Sequence, residues 1–320
     1  SALRWGDSLR VDRVAQWALS DTLGGPYDVV HCWHTRDHVL ASRALRKGYP
    51  LQRGRRPTRV IRSLSHVEPV PNRPWNRWLF GPGCDGVVCV SDRAAHALRR
   101  VRGERLTAST TGAIDLSELE NVRSAAEIRK ELGLEADAPL VGVVARMQSH
   151  RRFDLILSSM AELVRERPDA KLVIIGRGTR TQEIVTEPAL ALGIEKNVVL
   201  AGYRVEDYPD VLSAMDLITY LVPGSDGTCR ALLQAAALGL PAVGSWRGAV
   251  PDIVSNGQTG ILIEEDREAL VAAWRELIDD PVRRKAMGEA ARKGARERFC
   301  PDRHAAWMER FYEEALRDDD

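Results

Sequence analysis

The 320-residue sequence lacks several features that would place it in a special class of protein. It has no run of 18 apolar residues, so it predicts no transmembrane helix. Its N-terminus is polar and charged, which does not predict a signal peptide. It shows no solenoid-type repeat and no low-complexity segment. With 44% hydrophobic and 28% charged residues, the composition is that of a soluble globular protein, long enough for two domains.

Cysteine is scarce, and its five occurrences share no spacing typical of a metal site. The number is odd and the positions are scattered, which argues against a disulfide framework. We therefore expect reduced thiols, as in a cytoplasmic protein. The five residues are Cys32, Cys84, Cys89, Cys229 and Cys300.

The net charge of +1 conceals an asymmetry between the two parts of the chain. Residues 1–118 hold 19 Lys and Arg against 11 Asp and Glu, whereas residues 119–320 are net acidic. Arginines cluster at 53–62 and again at 99–105. Two interpretations stay open: solvated surface charge, or attraction to an anionic acceptor or to the inner face of a membrane. No aromatic residue interleaves with these clusters, so we expect no nucleic-acid partner.

Apolar, β-branched stretches alternate with amphipathic stretches, which predicts an α/β fold of two doubly wound parallel-sheet domains. Strands are expected at 27–33, 59–64, 86–90, 106–111, 139–145, 171–175, 198–200, 214–220, 241–243 and 259–263. Helices are expected at 11–19, 37–46, 92–101, 153–164, from 231 to a stop at Gly239, 267–278, 281–298 and 303–316, with a proline-rich loop after residue 68. Ser91 and Asp92 are expected to cap the helix at 92–101. We expect an N-terminal domain over 1–118, a C-terminal domain over 119–300, and a last helix over 301–320 that packs back on the N-terminal domain.

Several polar residues directly follow predicted strands. Doubly wound sheets bind ligands outside the carboxyl ends of their strands, and with two sheets the expected site is the cleft between them. Arg146 and Arg151 are either solvated surface or two cations able to neutralise a diphosphate. The sequence 176–178, Gly-Arg-Gly, is either a tight turn or a place of close backbone approach to a ligand. His66 is either a structural hydrogen-bonding residue or a contact to a sugar hydroxyl.

The stretch 225–245, SDGTCRALLQAAALGLPAVGS, predicts a loop that leads into a short apolar helix. The first turn of a helix presents unpaired backbone N–H groups and the positive end of the helix dipole. Such a helix start suits a phosphate. Asp226 and Gln234 lie eight positions apart, two polar side chains near the mouth of this helix.

Residues 140–300 resemble the C-terminal domain of the family-four retaining glycosyltransferases, which have the GT-B fold. The resemblance is carried by VVARMQSHRRFDLIL (143–157), LVIIGRG (172–178), VVLAGYR (198–204), the stretch 225–245, and GAVPDIVSNGQTGILI (248–263). The N-terminal half is similar more loosely, through YDVVHCWHTRDH (27–38), RSLSH (62–66), CDGVVCVSD (84–92) and TTGAID (110–115).

The resemblance implies roles for individual residues. Arg146 and Arg151 fall on positions that stabilise the donor diphosphate, and His66 falls on a histidine that contacts the donor sugar. Asp226 and Gln234 fall on the two acids of a Glu-x7-Glu motif, of which the first holds the sugar and the second the ribose hydroxyls.

Further positions in the resemblance concern the nucleotide. Tyr203 and Arg204 fall on a loop that brackets the nucleobase. Gly176 and Gly178 are further candidates for the donor site, because glycines after a buried strand permit close backbone approach to a ligand. The backbone N–H groups that would face the phosphate or the sugar are those of Thr228, Cys229 and Arg230.

The chain departs from the family pattern at several of these positions. Asp226 is one methylene shorter than glutamate, and Gln234 keeps hydrogen-bonding capacity without the charge. Arg151 stands where the family usually has lysine, and Arg152 where it usually has glycine. The glycine-rich loop that opens such proteins has no match before Tyr27. We therefore expect an N-terminal domain that is incomplete, through truncation or natural reduction.

The resemblance implies retaining, metal-independent transfer of a sugar from a nucleotide-diphosphate sugar of UDP or GDP type, with no cofactor. The implied acceptor is a hydroxyl of a glycan or lipid-linked molecule, in cell-envelope or polysaccharide synthesis. No Asp-x-Asp metal motif accompanies the site residues. The expected location is the cytoplasm or the inner face of the membrane. Two alternatives stay open: a non-catalytic nucleotide-sugar-binding or scaffold protein, and an epimerase of the same fold acting on the sugar nucleotide.

Overall fold

The structure is a computed structural model that describes residues 27–46, 58–65, 69–223 and 227–317. It divides into two compact units, of which one comprises Ser1–Thr110 with Ala305–Asp320 and the other Thr111–His304. We call these unit 1 and unit 2. The sequence analysis had placed the domain boundaries after residues 118 and 300. The predicted helix at 11–19 lies outside the described residues.

Unit 1 is built on a parallel four-stranded sheet of order β1-β2-β3-β4. Its strands are β1 (Val29–Cys32), β2 (Arg59–Leu64), β3 (Gly86–Cys89) and β4 (Thr107–Ser109), with helices α1 (Thr35–Arg46), α2 (Pro74–Phe80) and α3 (Asp92–Arg102). Ser91 caps α3, as predicted, because its hydroxyl accepts a hydrogen bond from the backbone N–H of Ala94 at 3.1 Å. The segment after residue 68 is not a loop throughout, since Pro74 starts α2 at a position that needs no N–H donor.

Unit 2 contains a parallel six-stranded sheet of order β10-β9-β8-β5-β6-β7. The strands are β5 (Leu140–Val144), β6 (Lys171–Ile175), β7 (Val198–Gly202), β8 (Leu217–Tyr220), β9 (Ala242–Ser245) and β10 (Gly260–Ile263). The helices are α4 (Ala125–Glu131), α5 (Phe153–Leu163), α6 (Glu187–Ala191), α7 (Tyr208–Ser213), α8 (Arg230–Leu238), α9 (Val250–Ile253), α10 (Arg267–Asp279) and α11 (Pro281–Arg298). Alternate strand residues point to opposite faces, so the sheet carries a separate apolar core on each face.

The last helix, α12 (Pro301–Leu316), packs on the sheet of unit 1. Phe311 and Ala315 lie against Ile61 and Val88 in one buried cluster. Gly86 makes room for this contact, because a Cβ there would lie 2.9 Å from the Phe311 ring. None of the helices in the described part of the chain is long and apolar enough to cross a membrane.

Two arginines of the clusters that the sequence suggests, Arg62 and Arg102, are buried rather than on the surface, whereas Arg99, Arg100 and Arg105 are exposed. Arg62 is only 2% exposed, and its Nη1 donates to the carbonyl oxygen of Cys32 at 3.3 Å. Arg102 is also buried and donates to several backbone carbonyls, among them Asp85 at 2.8 Å and Leu106 at 2.9 Å. These two guanidinium groups therefore hold the core of unit 1 together. The clustered arginines before residue 58 lie outside the described residues.

Candidate functional site

The strand order of unit 2 creates a switch point between β5 and β8. From β5 the chain adds β6 and β7 on one side, then returns to place β8, β9 and β10 on the other. The connections that follow β5 and β8 therefore diverge, and doubly wound sheets bind ligands at this place, outside the carboxyl ends of the strands. Arg146 follows β5, and the segment 227–229 leads from the β8 connection into α8. Both lie at this edge of the sheet.

Arg146 is an exposed cation at the switch point. Within the described ranges, no carboxylate lies at ion-pair distance from its guanidinium group. A guanidinium group binds a phosphate in bidentate geometry. The position and the unengaged charge of Arg146 therefore fit the predicted contact with an anionic ligand.

Arg151 joins the two connections that flank the switch point. Its Nη1 donates to the carbonyl oxygens of Val222 and Pro223, both at 2.8 Å. Its Nε is buried and has no hydrogen-bond partner among the described residues. Arg151 thus fixes the loop after β5 to the loop after β8, a role that the sequence did not indicate. Its predicted contact with the diphosphate stays a prediction.

The two glycines of the β6 loop bring that loop against the loop after β5. A Cβ on Gly176 would lie 2.1 Å from the carbonyl oxygen of Ala145, and one on Gly178 would lie 2.7 Å from that of Met147. Between them, the carbonyl oxygen of Arg177 accepts a hydrogen bond from the Met147 N–H at 3.3 Å. The close approach that these glycines permit is to the chain's own backbone.

The start of α8 has an unusual backbone. Cys229, the residue before the helix, has φ 50° and ψ 35°, and Gly227 has φ 67°. A left-handed conformation is costly for a residue with a side chain, and such strain concentrates at functional sites. The Cys229 side chain points into the core, whereas Arg230 is exposed and pairs with Glu118 at 3.5 Å. The predicted phosphate contacts of the Thr228, Cys229 and Arg230 backbone stay predictions.

Gln234 lies in the second turn of α8 and is only 8% exposed. The structure records no hydrogen bond from its amide to a described residue. With no described residue bonded to it, the amide is available to a polar group of a ligand. The predicted contact of Gln234 with the ribose stays a prediction.

Tyr203 lies in the loop after β7 and is 61% exposed. The guanidinium carbon of Arg177 lies 4.5 Å from the centre of its ring, a cation–π contact. Arg204 is held within its own loop, because it donates to the carbonyl oxygen of Ala201 at 2.7 Å and to Asp207 at 2.5 Å. The side chain that contacts the Tyr203 ring is therefore that of Arg177, which was not among the predicted site residues. The adjacency of β6 and β7 could have indicated it.

An ion-pair cluster fixes the loops after β5, β9 and β10. Glu265, whose side chain is largely buried, pairs with Arg152 at 2.5 Å and with Arg247. Arg152 has φ 59°, a left-handed conformation that glycine adopts more easily. Glycine, the residue that the resemblance implies at this position, would adopt this conformation at lower cost. In this chain the residue at that position is Arg152, and its side chain forms the ion pair with Glu265.

Two of the predicted site residues, His66 and Asp226, lie outside the described residues. Their roles stay predictions. In the ranges that the structure describes, no three His, Cys, Asp or Glu residues are grouped so that they could hold a metal ion.

The fold and the sequence together define the class of this protein. The model of the family described as glycosyl transferases group 1 matches residues 124–294, just over half of the chain, and the chain belongs to that family. The predicted resemblance and the predicted fold of two parallel α/β units are confirmed, and the structural relatives are glycosyltransferases of the GT-B type.

Individual relatives share part of the chain. The GDP-mannose-dependent alpha-(1-6)-phosphatidylinositol monomannoside mannosyltransferase of Mycolicibacterium smegmatis is 32% identical over 180 residues, which are 53% of this chain and 46% of that protein. The N-acetyl-alpha-D-glucosaminyl L-malate synthase of Bacillus anthracis is 27% identical over 62% of this chain and 51% of its own length. The matched region thus spans about half the length of these relatives.

A solved structure of a similar fold is that of the Anabaena protein HepE in complex with UDP. It has a TM-score of 0.77 at 18% identity and covers 93% of this chain and 82% of HepE. A glycosyltransferase from Rickettsia africae has a TM-score of 0.79 at 14% identity and covers 100% of this chain and 84% of its own.

Proposed function

We propose that this protein transfers a sugar from a nucleotide-diphosphate sugar to a hydroxyl acceptor, with retention of the anomeric configuration and without a metal ion. The observation that carries the proposal is the cation Arg146 at the switch point of unit 2, which has no ion-pair partner among the described residues and lies at the same edge of the sheet as the strained start of α8. Together they supply a guanidinium group and a helix N-terminus for a diphosphate.

Membership of the family supports the transfer reaction, and the names of relatives support the donor class. One relative is named as GDP-mannose-dependent, and the HepE structure holds UDP. A UDP or GDP sugar is therefore the proposed donor. The mannosyltransferase acts, by its name, on a phosphatidylinositol monomannoside, which supports a glycan or lipid-linked acceptor in cell-envelope or polysaccharide synthesis.

In the proposed reaction, Arg146 and Arg151 stabilise the negative charge that grows on the leaving diphosphate. Electrostatic stabilisation of this kind usually contributes more to the rate enhancement of an enzyme than any other effect. The bond between the anomeric carbon and the diphosphate oxygen breaks, and a bond from the same carbon to the acceptor oxygen forms on the same face. The proton of the acceptor hydroxyl passes to the leaving phosphate. No further reactant is needed.

The remaining proposed roles concern orientation of the donor. Gln234 binds the ribose hydroxyls, and Tyr203 with Arg177 contacts the nucleobase. His66 and Asp226 orient the sugar.

The first test is calorimetric titration of the full chain with UDP and with GDP. Arg146→Ala should make the free energy of binding of the preferred nucleotide less favourable by roughly 1.5–3 kcal/mol, the range for a hydrogen bond to a charged group. The matched control is Arg165→Ala, because Arg165 is an exposed arginine that precedes β6 and so lies toward the opposite edge of the sheet. Equal affinity of the two variants for the nucleotide would show that the nucleotide binds away from Arg146.

A non-catalytic nucleotide-sugar-binding protein is the second candidate, and the uncharged Gln234 is the observation that favours it. Mass spectrometry of reactions with a panel of sugar nucleotides and hydroxyl acceptors separates the two. Binding without turnover would support the second candidate. Turnover of the sugar nucleotide to an isomer without any acceptor would indicate an epimerase instead. Proton NMR of a product gives its anomeric configuration, and addition of EDTA tests the metal requirement.

A further inference from the structure

The short helix α2 of unit 1 places aromatic and basic side chains on the surface. Trp75 is 45% exposed, whereas Leu79 and Phe80 at the other end of the helix are buried. Arg73 and Arg77 are exposed beside it. The buried end anchors the helix in the core. We call the group of Arg43, Arg73, Trp75, Arg77 and Trp78 the Trp75 patch.

The side chains of the Trp75 patch hold one another in place. The Trp75 and Trp78 rings stack, with centres 5.1 Å apart and planes inclined by 27°. The guanidinium carbon of Arg43 lies 5.4 Å from the centre of the Trp75 ring. Arg77 Nε donates to the side-chain oxygen of Asn72 at 2.6 Å. These contacts lower the conformational entropy that the side chains would lose on binding.

The charge of this surface has one sign. The sequence has no Asp or Glu from position 69 to position 84, although the whole chain holds almost equal numbers of acidic and basic residues. Arg43, Arg73 and Arg77 therefore accompany an indole pair of which Trp75 is exposed and Trp78 is partly buried against the core, and α2 supplies no carboxylate to neutralise them. An anionic partner complements this charge.

We propose that the Trp75 patch binds the surface of an anionic phospholipid membrane. Indole rings favour the boundary between headgroups and acyl chains, because one edge is apolar and the N–H is polar. Arginines next to them bind lipid phosphates and respond to the negative surface potential. The residues of the Trp75 patch differ from the two arginine clusters of the sequence analysis, and the proposal does not depend on the proposed transferase activity.

The geometry disfavours a single-stranded nucleic acid as the partner. Bases bind proteins by stacking on free aromatic faces. The π surface of Trp75 is already engaged by Trp78 and by the guanidinium group of Arg43. A base that stacks on Trp75 would compete with these two contacts, whereas insertion of the indole among headgroups would not require their loss.

The test is co-sedimentation of the full chain with vesicles of phosphatidylcholine, with and without phosphatidylglycerol. We expect binding to the anionic vesicles that weakens as salt is raised. Arg73→Ala with Arg77→Ala should lower the partition coefficient about fivefold for each arginine. Trp75→Ala should lower the partition coefficient about tenfold, since burial of roughly half a large apolar side chain is lost. Because this contribution is apolar, the difference between the Trp75→Ala variant and the unchanged protein should persist at high salt.

Two control variants match these changes. Trp246→Ala removes an exposed tryptophan of unit 2, and Arg99→Ala with Arg100→Ala removes two exposed arginines of unit 1 that lie on α3. Both should bind vesicles like the unchanged protein. Binding by the Trp75 and Arg73/Arg77 variants that equals that of the controls would overturn the proposal. So would equal binding to vesicles with and without phosphatidylglycerol, or a Trp75-dependent affinity for a single-stranded oligonucleotide that exceeds the affinity for vesicles.

Discussion

Replacing His38 by leucine should remove one pH-dependent loss of stability from unit 1. His38 is fully buried in α1 next to the backbone of Leu79, and neither ring nitrogen makes a hydrogen bond of good geometry with a described residue. Its ring meets the edge of Phe80, with centres 5.3 Å apart. Burial, together with the charges of Arg62 and Arg102, lowers the pKa of His38 from 6.5 to about 3. Folding therefore requires the neutral imidazole.

The sign and size of the effect follow from proton linkage. Between pH 6.5 and pH 3 the unfolded chain binds a proton at His38 that the folded chain does not, so stability falls as the pH falls. One such proton changes the free energy of unfolding by about 1.4 kcal/mol per pH unit. From pH 7 to pH 5 the loss attributable to His38 is therefore about 2 kcal/mol.

His31 adds to the same trend. Burial and the charge of Arg62 lower its pKa to about 4. His31 is hydrogen-bonded to Tyr312 at 2.7 Å and to Ser63 at 2.8 Å. Because neither bond involves His38, the His38→Leu variant keeps the buried environment of His31. Acid should therefore still destabilise that variant, but with a smaller slope than the unchanged protein.

The assay must resolve the two units separately. Amide hydrogen exchange followed by mass spectrometry, corrected for the intrinsic pH dependence of exchange, gives the free energy of opening of individual strands. The strand β3 (Gly86–Cys89) reports on unit 1, and β6 (Lys171–Ile175) reports on unit 2 as an internal control. His38→Leu should reduce the pH dependence of β3 and leave that of β6 unchanged.

The matched control is His96→Gln, which changes an exposed histidine on α3 of the same unit. It should keep the full pH dependence of β3. If β3 lost as much stability between pH 7 and pH 5 in the His38→Leu variant as in the unchanged protein, the assignment of this acid sensitivity to His38 would be wrong.

Two further predictions concern unit 2 and can be checked by urea denaturation followed by fluorescence or circular dichroism. Gly176→Ala should destabilise by about 2–4 kcal/mol, because the new Cβ clashes with the carbonyl oxygen of Ala145; Gly193→Ala, which has a positive φ but open space, should cost only about 1 kcal/mol, and equal losses would contradict the argument. Trp274→Phe should cost about 2–4 kcal/mol, since it opens a cavity and removes the hydrogen bond from the indole N–H to Thr219 Oγ1 at 2.8 Å. Adding Thr219→Val should recover part of that loss, and a purely additive double variant would exclude the coupling.

The sequence alone determined most of the strands, because buried parallel strands are continuous apolar runs that end at polar or glycine residues. The bounds of β2 and β6 agree with the predicted ranges, and those of α11 do too. Helix starts were predictable where a side chain caps the backbone, as at Ser91. The short helices α4, α6 and α7 were missed, since they span so few turns that no apolar periodicity develops. Helix α2 was missed because the prolines around its first turn indicated a loop.

The candidate site was predictable in its location but not in its contacts. Motifs at strand ends indicated Arg146 and Tyr203, because carboxyl ends of parallel strands meet at one edge of a sheet. The spacing from Asp226 indicated Gln234. The sequence did not indicate that Arg151 binds the loop after β8, or that Arg177 lies on Tyr203. Both contacts depend on which strands are neighbours.

What the tertiary structure alone decided is the environment of each polar residue. Arg62 and Arg99 look alike in the sequence, yet one is buried in the core and the other is exposed on α3. The pKa of His38 is lowered because the fold surrounds it with apolar atoms and two guanidinium groups. Sequence periodicity reports which residues share a face of one helix or strand. Burial and charge pairing are set by neighbours that are distant along the chain, and only packing brings them together.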